Sequence, residues 1–140
     1  MAKKTYHGSC HCKAVSYEVS FDLSKGTNRC NCSICWKARA WFAIVQQEDL
    51  KLLSGANEMG QYQWVPEGKK GPHLTYRFCN HCGVRIYAAG EDEKLGGKFF
   101  ALHVPTLDDA SQDELAAAPL KFNDMLHNRP DRTPEDTRLL

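Results

Sequence analysis

What this chain lacks narrows its reading first. It has no surplus of charge of one sign: 18 Lys and Arg stand against 17 Asp and Glu, a formal net charge of +1. A nucleic-acid groove or a patch for anionic lipid needs a basic excess, so neither nucleic acid nor a membrane is expected as partner. No apolar run approaches the ~18 residues of a membrane-spanning helix. The start, Met1-Ala2-Lys3-Lys4-Thr5-Tyr6-His7, is basic but leads into no apolar stretch, so no secretory signal is expected. Internal repeats, low-complexity tracts and a dividing linker are also missing. Hydrophobic residues at 42% and charged residues at 25% exclude a disordered chain. The 140 residues therefore suit one domain, 1–140, with a polar tail from about residue 123.

What is present is cysteine. There are seven, an odd number, and the expected compartment is a reducing one, the cytoplasm. Closely spaced thiols there are metal ligands rather than disulfides. They fall into Cys10-His11-Cys12, Cys30-Asn31-Cys32-Ser33-Ile34-Cys35, and Cys79-Asn80-His81-Cys82. The first and last groups together supply four thiolates, the complete set of a structural zinc. The middle group supplies three and leaves a tetrahedral position open, which is where zinc does chemistry. Two alternatives stand beside this division. Cys32 and Cys35 could join Cys79 and Cys82 in a zinc ribbon. A histidine (His7, His11, His73, His81, His103 or His127) could close the three-thiolate set into a second structural site. His11 and His81 read as donors to sulfur or as solvent-facing residues, and His103 as a core histidine with a general base as the alternative.

Patterning reads as mostly strand. Ala14–Phe21 alternates, with Val15, Tyr17, Val19 and Phe21 on one face. Asp22–Asn28 reads as a turn, and Trp36–Arg39 as one helical turn. Ala40–Val45, Leu50–Leu53, Gln61–Val65, Leu74–Phe78, Val84–Ala88 and Lys98–Val104 read as strands. Lys69-Lys70-Gly71-Pro72 reads as an exposed turn, and Gly90–Gly97 as a loop. Gly83 suits a tight turn needing φ > 0. Ser111 with Glu114 three residues on opens a short helix that Pro119 ends. From Asn123 the tail wraps the surface or frays. Trp36, Trp41, Phe42 and Trp64 are expected in the core.

Gly8-Ser9-Cys10-His11-Cys12 with Val15, the Cys30-x-Cys32-Ser33-x-Cys35 run, Phe78-Cys79-x-x-Cys82-Gly83 and Leu107-Asp108-Asp109 together resemble one family. It is the glutathione-dependent formaldehyde-activating enzyme family, which also contains centromere protein V. The resemblance spans about residues 6 to 110. It implies a mainly β, folded-leaf architecture of short antiparallel strands around two zinc sites, with a short C-terminal helix. It implies two zinc ions per chain: a structural one on Cys10, Cys12, Cys79 and Cys82, and a catalytic one on Cys30, Cys32 and Cys35. The implied reaction joins glutathione and formaldehyde into S-hydroxymethylglutathione, a carbon–sulfur lyase reaction run backwards. Lys37 and Arg39, with Arg29 nearby, are the candidate cations for the anionic tripeptide. Asn31 and Trp36 depart from the family, which often has His and a basic residue at those places. The competing readings are a zinc-stabilised module that docks a protein and a thiol or zinc sensor. An open coordination site favours the enzyme.

Overall fold

The alternation of Val15, Tyr17, Val19 and Phe21 seeds the core. All four are buried, the first three completely. The structure, a computed structural model, describes residues 3–68 and 74–140. The expected turn at Lys69-Lys70-Gly71-Pro72, with His73, lies outside the described residues.

Ten strands and two short helices are described: β1 (Lys4–Ser9), β2 (Ser16–Phe21), β3 (Thr27–Cys30), α1 (Ser33–Ala38), β4 (Phe42–Gln46), β5 (Leu50–Ser54), β6 (Met59–Trp64), β7 (Leu74–Cys79), β8 (Arg85–Asp92), β9 (Gly97–His103), α2 (Gln112–Ala117) and β10 (Leu120–Asn123). They form two sheets, β1-β2-β5 and β10-β3-β4-β9-β8-β7-β6. The fold is mainly β, with antiparallel pairing throughout except where β10 runs parallel to β3. One hydrophobic cluster takes residues from both sheets: Tyr17 and Val19 from the small one, Ile86 and Leu102 from the large one. No helix among the described residues is long and apolar enough to cross a membrane.

Several local expectations need correction. The Asp22–Asn28 turn is shorter than read, because β3 already begins at Thr27. The Gly90–Gly97 loop is mostly ladder: β8 continues to Asp92, opposite Gly97 on β9. Polar composition misled there, because that end of the hairpin faces water and needs no apolar residues. Strands β1 and β10 carry no strong periodic signal and gain their order from partners. β1 lies against β2, and β10 lies against β3, with Leu120 opposite Thr27. The tail past Asn123 is pinned by Asp124, whose side chain is only 2% exposed.

Two contacts fix how the small sheet meets the loop after β9. Tyr17 donates its hydroxyl hydrogen to Thr106 Oγ1 at 2.6 Å, and Thr106 donates to the His103 carbonyl at 2.7 Å. Gly8 passes so close that a Cβ there would overlap the Tyr17 ring and crowd the Thr106 carbonyl oxygen at 2.6 Å. The second contact is the expected capping box of α2. Ser111 Oγ accepts from the Glu114 N–H at 3.0 Å, while Glu114 accepts from the Ser111 N–H at 2.9 Å. Glu114 also takes the Lys4 ammonium at 2.7 Å and the Tyr6 hydroxyl at 3.0 Å, tying α2 to β1.

Gly8→Ala is expected to lower stability by about 1–3 kcal/mol, the usual cost of overpacking, read as a fall in urea midpoint. The Lys4 ammonium first, then the Ser111 N–H and the Tyr6 hydroxyl, hold the Glu114 carboxyl down to about 2. A depressed carboxyl stabilises the fold while ionised, so its contribution is complete above the ordinary glutamate range and is lost as pH falls toward 2. The stability gap between the natural chain and Glu114→Gln should therefore shrink between roughly pH 5 and pH 2. A gap constant across that window would show that the Lys4 and Tyr6 contacts contribute nothing.

Candidate functional site

Cys10 directly follows β1, with Cys12 in the turn toward β2. Cys79 ends β7, with Cys82 in the turn toward β8. The two turns belong to different sheets and meet. Their four sulfurs lie within 4.8 Å of one another. Cys12 Sγ is 3.7 Å from both Cys10 Sγ and Cys79 Sγ. Four sulfurs bound to zinc at ~2.3 Å stand ~3.8 Å apart, so the set fits a tetrahedral metal.

The two turns are built alike. The Val15 N–H donates to Cys10 Sγ at 3.3 Å, and the His81 N–H to Cys79 Sγ at 3.3 Å. Cys10 N bonds the Val15 carbonyl and Cys79 N the Val84 carbonyl, closing each loop. Such N–H···S bonds favour the thiolate, the form that binds metal. Backbone N–H groups, those of Cys12 and Val84 first, hold the Cys82 thiol down to about 6. Gly83 takes the positive φ read from the sequence, 76°. His11 and His81 are exposed and stand outside the ligand set; His81 pairs with Glu58.

The second cluster is local. β3 delivers Cys30 at its end, Cys32 is the residue capping α1, and Cys35 lies in the first turn of that helix. The three sulfurs also lie within 4.8 Å of one another, and among the described residues no histidine or carboxylate completes the set. The Cys32 N–H donates to Cys30 Sγ at 3.4 Å, repeating the pattern of the first centre. The thiol hydrogens of Cys30 and Cys35 stabilise the Cys32 thiolate, helped by the Cys35 and Ile34 backbone N–H groups, and hold it well below the usual thiol range. Hydrogen bonding to Cys30 and Cys32 pushes the Cys35 thiol up in return. Three sulfurs this close together are a donor set suited to a cation. The grouping is four and three, so the ribbon pairing of Cys32 and Cys35 with Cys79 and Cys82 is not found.

The surrounding side chains divide. Arg39, in left-handed backbone at the end of α1, lies over the Trp36 ring at 5.1 Å and donates to the Leu139 carbonyl at 2.7 Å. Arg29 and Arg39 line a small hollow together with Cys30 and Cys35. Lys37 is exposed and does not line it. Trp36, expected in the core, is 42% exposed because α1 presents that face outward. Burial, with Arg85 nearby, lowers His103 to about 4, so it is neutral at physiological pH.

Sequence reasoning missed two groups at this site. Tyr76 is buried, and desolvation first, then the Cys35, Cys32 and Cys30 sulfurs, raise its hydroxyl. Arg85 stacks on the same ring at 4.5 Å. The period of β7 put Tyr76 inside, but only the fold reveals what it faces. Asp124 is the other. It accepts from Asn31 Nδ2 at 2.7 Å, His127 Nδ1 at 2.8 Å and Arg129 at 2.8 Å, and these partners, Asn31 first, hold its carboxyl below the usual range. A lone Asp in a polar tail gives no signal of that hub.

Comparison with known proteins agrees with this geometry. Residues 5–122 match the family model described as glutathione-dependent formaldehyde-activating enzyme. A protein of Halomonas elongata, whose name places it in the same family, is 30% identical over 135 residues, 94% of this chain and 81% of that one. A crystal structure of a Rhodobacter sphaeroides protein superposes with a TM-score of 0.63 at 25% identity, covering 81% of this chain and 98% of that one. A match over that much of the chain, together with the four-and-three sulfur grouping, shows that this protein belongs to the glutathione-dependent formaldehyde-activating enzyme family.

Proposed function

We propose that this chain adds the thiol of glutathione to formaldehyde, giving S-hydroxymethylglutathione, a carbon–sulfur lyase reaction in its synthetic direction. The observation that carries the reading is the three-sulfur set of Cys30, Cys32 and Cys35 with no fourth protein ligand among the described residues. In this reading residues 1–140 form one zinc-binding unit. Cys10, Cys12, Cys79 and Cys82 hold a structural zinc, and Cys30, Cys32 and Cys35 a catalytic one. Bound to the three thiolates, the ion supplies deprotonation of an incoming thiol at neutral pH.

The chain's own residues do the rest. Their sulfurs fix where the substrate sulfur must stand. That sulfur attacks the carbonyl carbon of formaldehyde, the carbon–sulfur bond forms, and the carbonyl π pair moves to oxygen, which takes a proton equivalent to the one the thiol lost. Three thiolates outweigh a divalent charge, so an anionic tripeptide needs cations near the entrance. Arg39 and Arg29 line the hollow beside Cys30 and Cys35, so Arg39 is favoured over Lys37 for that task. Free thiols in these numbers suit the cytoplasm.

Metal analysis should find two zinc ions per chain. Cys79→Ser should cost on the order of 5 kcal/mol, since structural zinc supplies roughly 10–16 kcal/mol in small domains. Cys35→Ser should stay within about 1 kcal/mol of the natural chain while losing one equivalent of zinc. Equal melting of the two variants in a thermal scan would overturn the division of roles.

The reaction itself is tested by exchange NMR among glutathione, formaldehyde and their adduct. The zinc-loaded protein should speed exchange without moving the equilibrium, and Cys35→Ser should not. Zinc released on oxidation, with exchange at the uncatalysed rate, would replace the enzyme reading with a thiol sensor.

A further inference from the structure

The two sheets end in four outer strands, β1 and β5 on the small sheet and β10 and β6 on the large one. Three of these edges are blunted. β1 is covered along its outer side: the Asp108 N–H donates to the His7 carbonyl at 2.8 Å, the His7 N–H donates to Asp109 Oδ1 at 2.8 Å, and Gly8 bridges Leu107. β5 carries Lys51, and β10 carries Lys121 and is only four residues long. A cover, a lysine or a short run is the usual means of keeping a sheet edge from pairing with another chain.

β6 has none of these devices. From Met59 to Val65 the run Met-Gly-Gln-Tyr-Gln-Trp-Val holds no charge and no proline. The strand pairs with β7 over six residues without a register shift. Its outward backbone groups follow from the ladder. The Asn80 N–H donates to the Glu58 carbonyl at 2.8 Å, one residue before the strand begins. Backbone direction alternates along a strand, so Gly60, Tyr62 and Trp64 turn their groups toward β7, while Met59, Gln61 and Gln63 turn theirs outward. Among the described residues no other backbone meets that outer row. Gln61, Tyr62 and Gln63 are exposed, and Tyr62 at 51% and Val65 at 45% leave apolar surface along the edge.

We infer that β6 is the edge on which two copies of this chain pair, antiparallel across a two-fold axis, so that the seven-stranded sheet of one copy continues into that of the other. The charge pattern selects a second copy as the occupant. Two-fold pairing lays a strand against itself, so any charge on it meets its own sign. Lys4 on β1, Lys51 on β5 and Lys121 on β10 would each do so; β6 alone brings only neutral side chains to the axis. The outward row also matches itself. Gln61 of each copy exchanges both backbone bonds with Gln63 of the other, and the two Tyr62 side chains then stand side by side at the axis, an aromatic pair of the kind that stabilises a ladder. Nothing in this pairing depends on the proposed reaction.

The test is sedimentation equilibrium of the zinc-loaded full chain from micromolar to millimolar concentration, with amide hydrogen exchange read at both ends of that range. A monomer–dimer equilibrium is expected. In dilute protein the Gln61 and Gln63 amides should exchange fast while those of Tyr62 and Trp64 are held by β7; in concentrated protein the Gln61 and Gln63 amides should gain protection. Gln63→Lys, at an exposed position, should raise the dimer dissociation constant roughly tenfold or more, because each copy then brings a cation to the shared edge. Gln63→Thr, neutral and suited to a strand, should leave that constant within about threefold. Both variants should melt like the natural chain in dilute solution. A monomer throughout the range, association that runs on past the dimer, or a dimer whose Gln61 and Gln63 amides stay as fast as in the monomer overturns the inference. So does a dimer that Gln63→Lys leaves as tight as before.

Discussion

Two hairpin turns from two separate sheets meet at one point, where four sulfurs share one small space. Cys10 and Cys12 come from the small sheet, Cys79 and Cys82 from the large one, and their sulfurs converge within 4.8 Å. The hydrophobic cluster beneath is shared by both sheets, but apolar contact is tolerant of sliding. Four converging sulfurs are a narrower constraint, because distance and direction must both be met at one point. Both turns spend backbone N–H groups on sulfur, which stabilises the thiolates the junction depends on.

The second centre is built on the opposite plan. Its three sulfurs come from six consecutive residues, at the end of β3 and the start of α1. Nothing distant has to arrive for them to converge, so little of the fold's stability is invested in them. That independence is what permits an incomplete ligand set. A centre that holds sheets together must be closed, whereas one that rests on a single turn can leave a position for a substrate. The same sequence thus places its four-sulfur cluster across long separations and its three-sulfur cluster within a single loop.

This difference also explains what was legible in the sequence. Local patterns were readable: the alternation from Val15 to Phe21, the capping box at Ser111 and Glu114, the positive φ of Gly83, and the spacing of all seven cysteines. The misses were long-range. β10 exists because Leu120–Asn123 lies along Thr27–Cys30, and no window of sequence contains both. The Gly90–Gly97 stretch reads as a loop because a ladder facing water has no reason to be apolar. Trp36 was placed in the core on residue type alone, yet α1 is one and a half turns long and buries none of its residues. Tyr76 and Asp124 escaped because their surroundings come from elsewhere in the chain, the Arg85 guanidinium in one case and a returning tail in the other.

Asn31 brings these threads together. Its place between two cysteines gives no sign of a long-range role. In the fold it is a two-handed bond: its amide donates to a buried carboxylate and its carbonyl accepts from the Leu126 N–H. A neutral imidazole, with one donor and one acceptor at fixed angles, is a poor substitute for a carboxamide in that pair of bonds. Asn31 and the segment from Asp124 to Leu126 are therefore tied together directly. The loop that carries the thiolates also anchors the tail beside them.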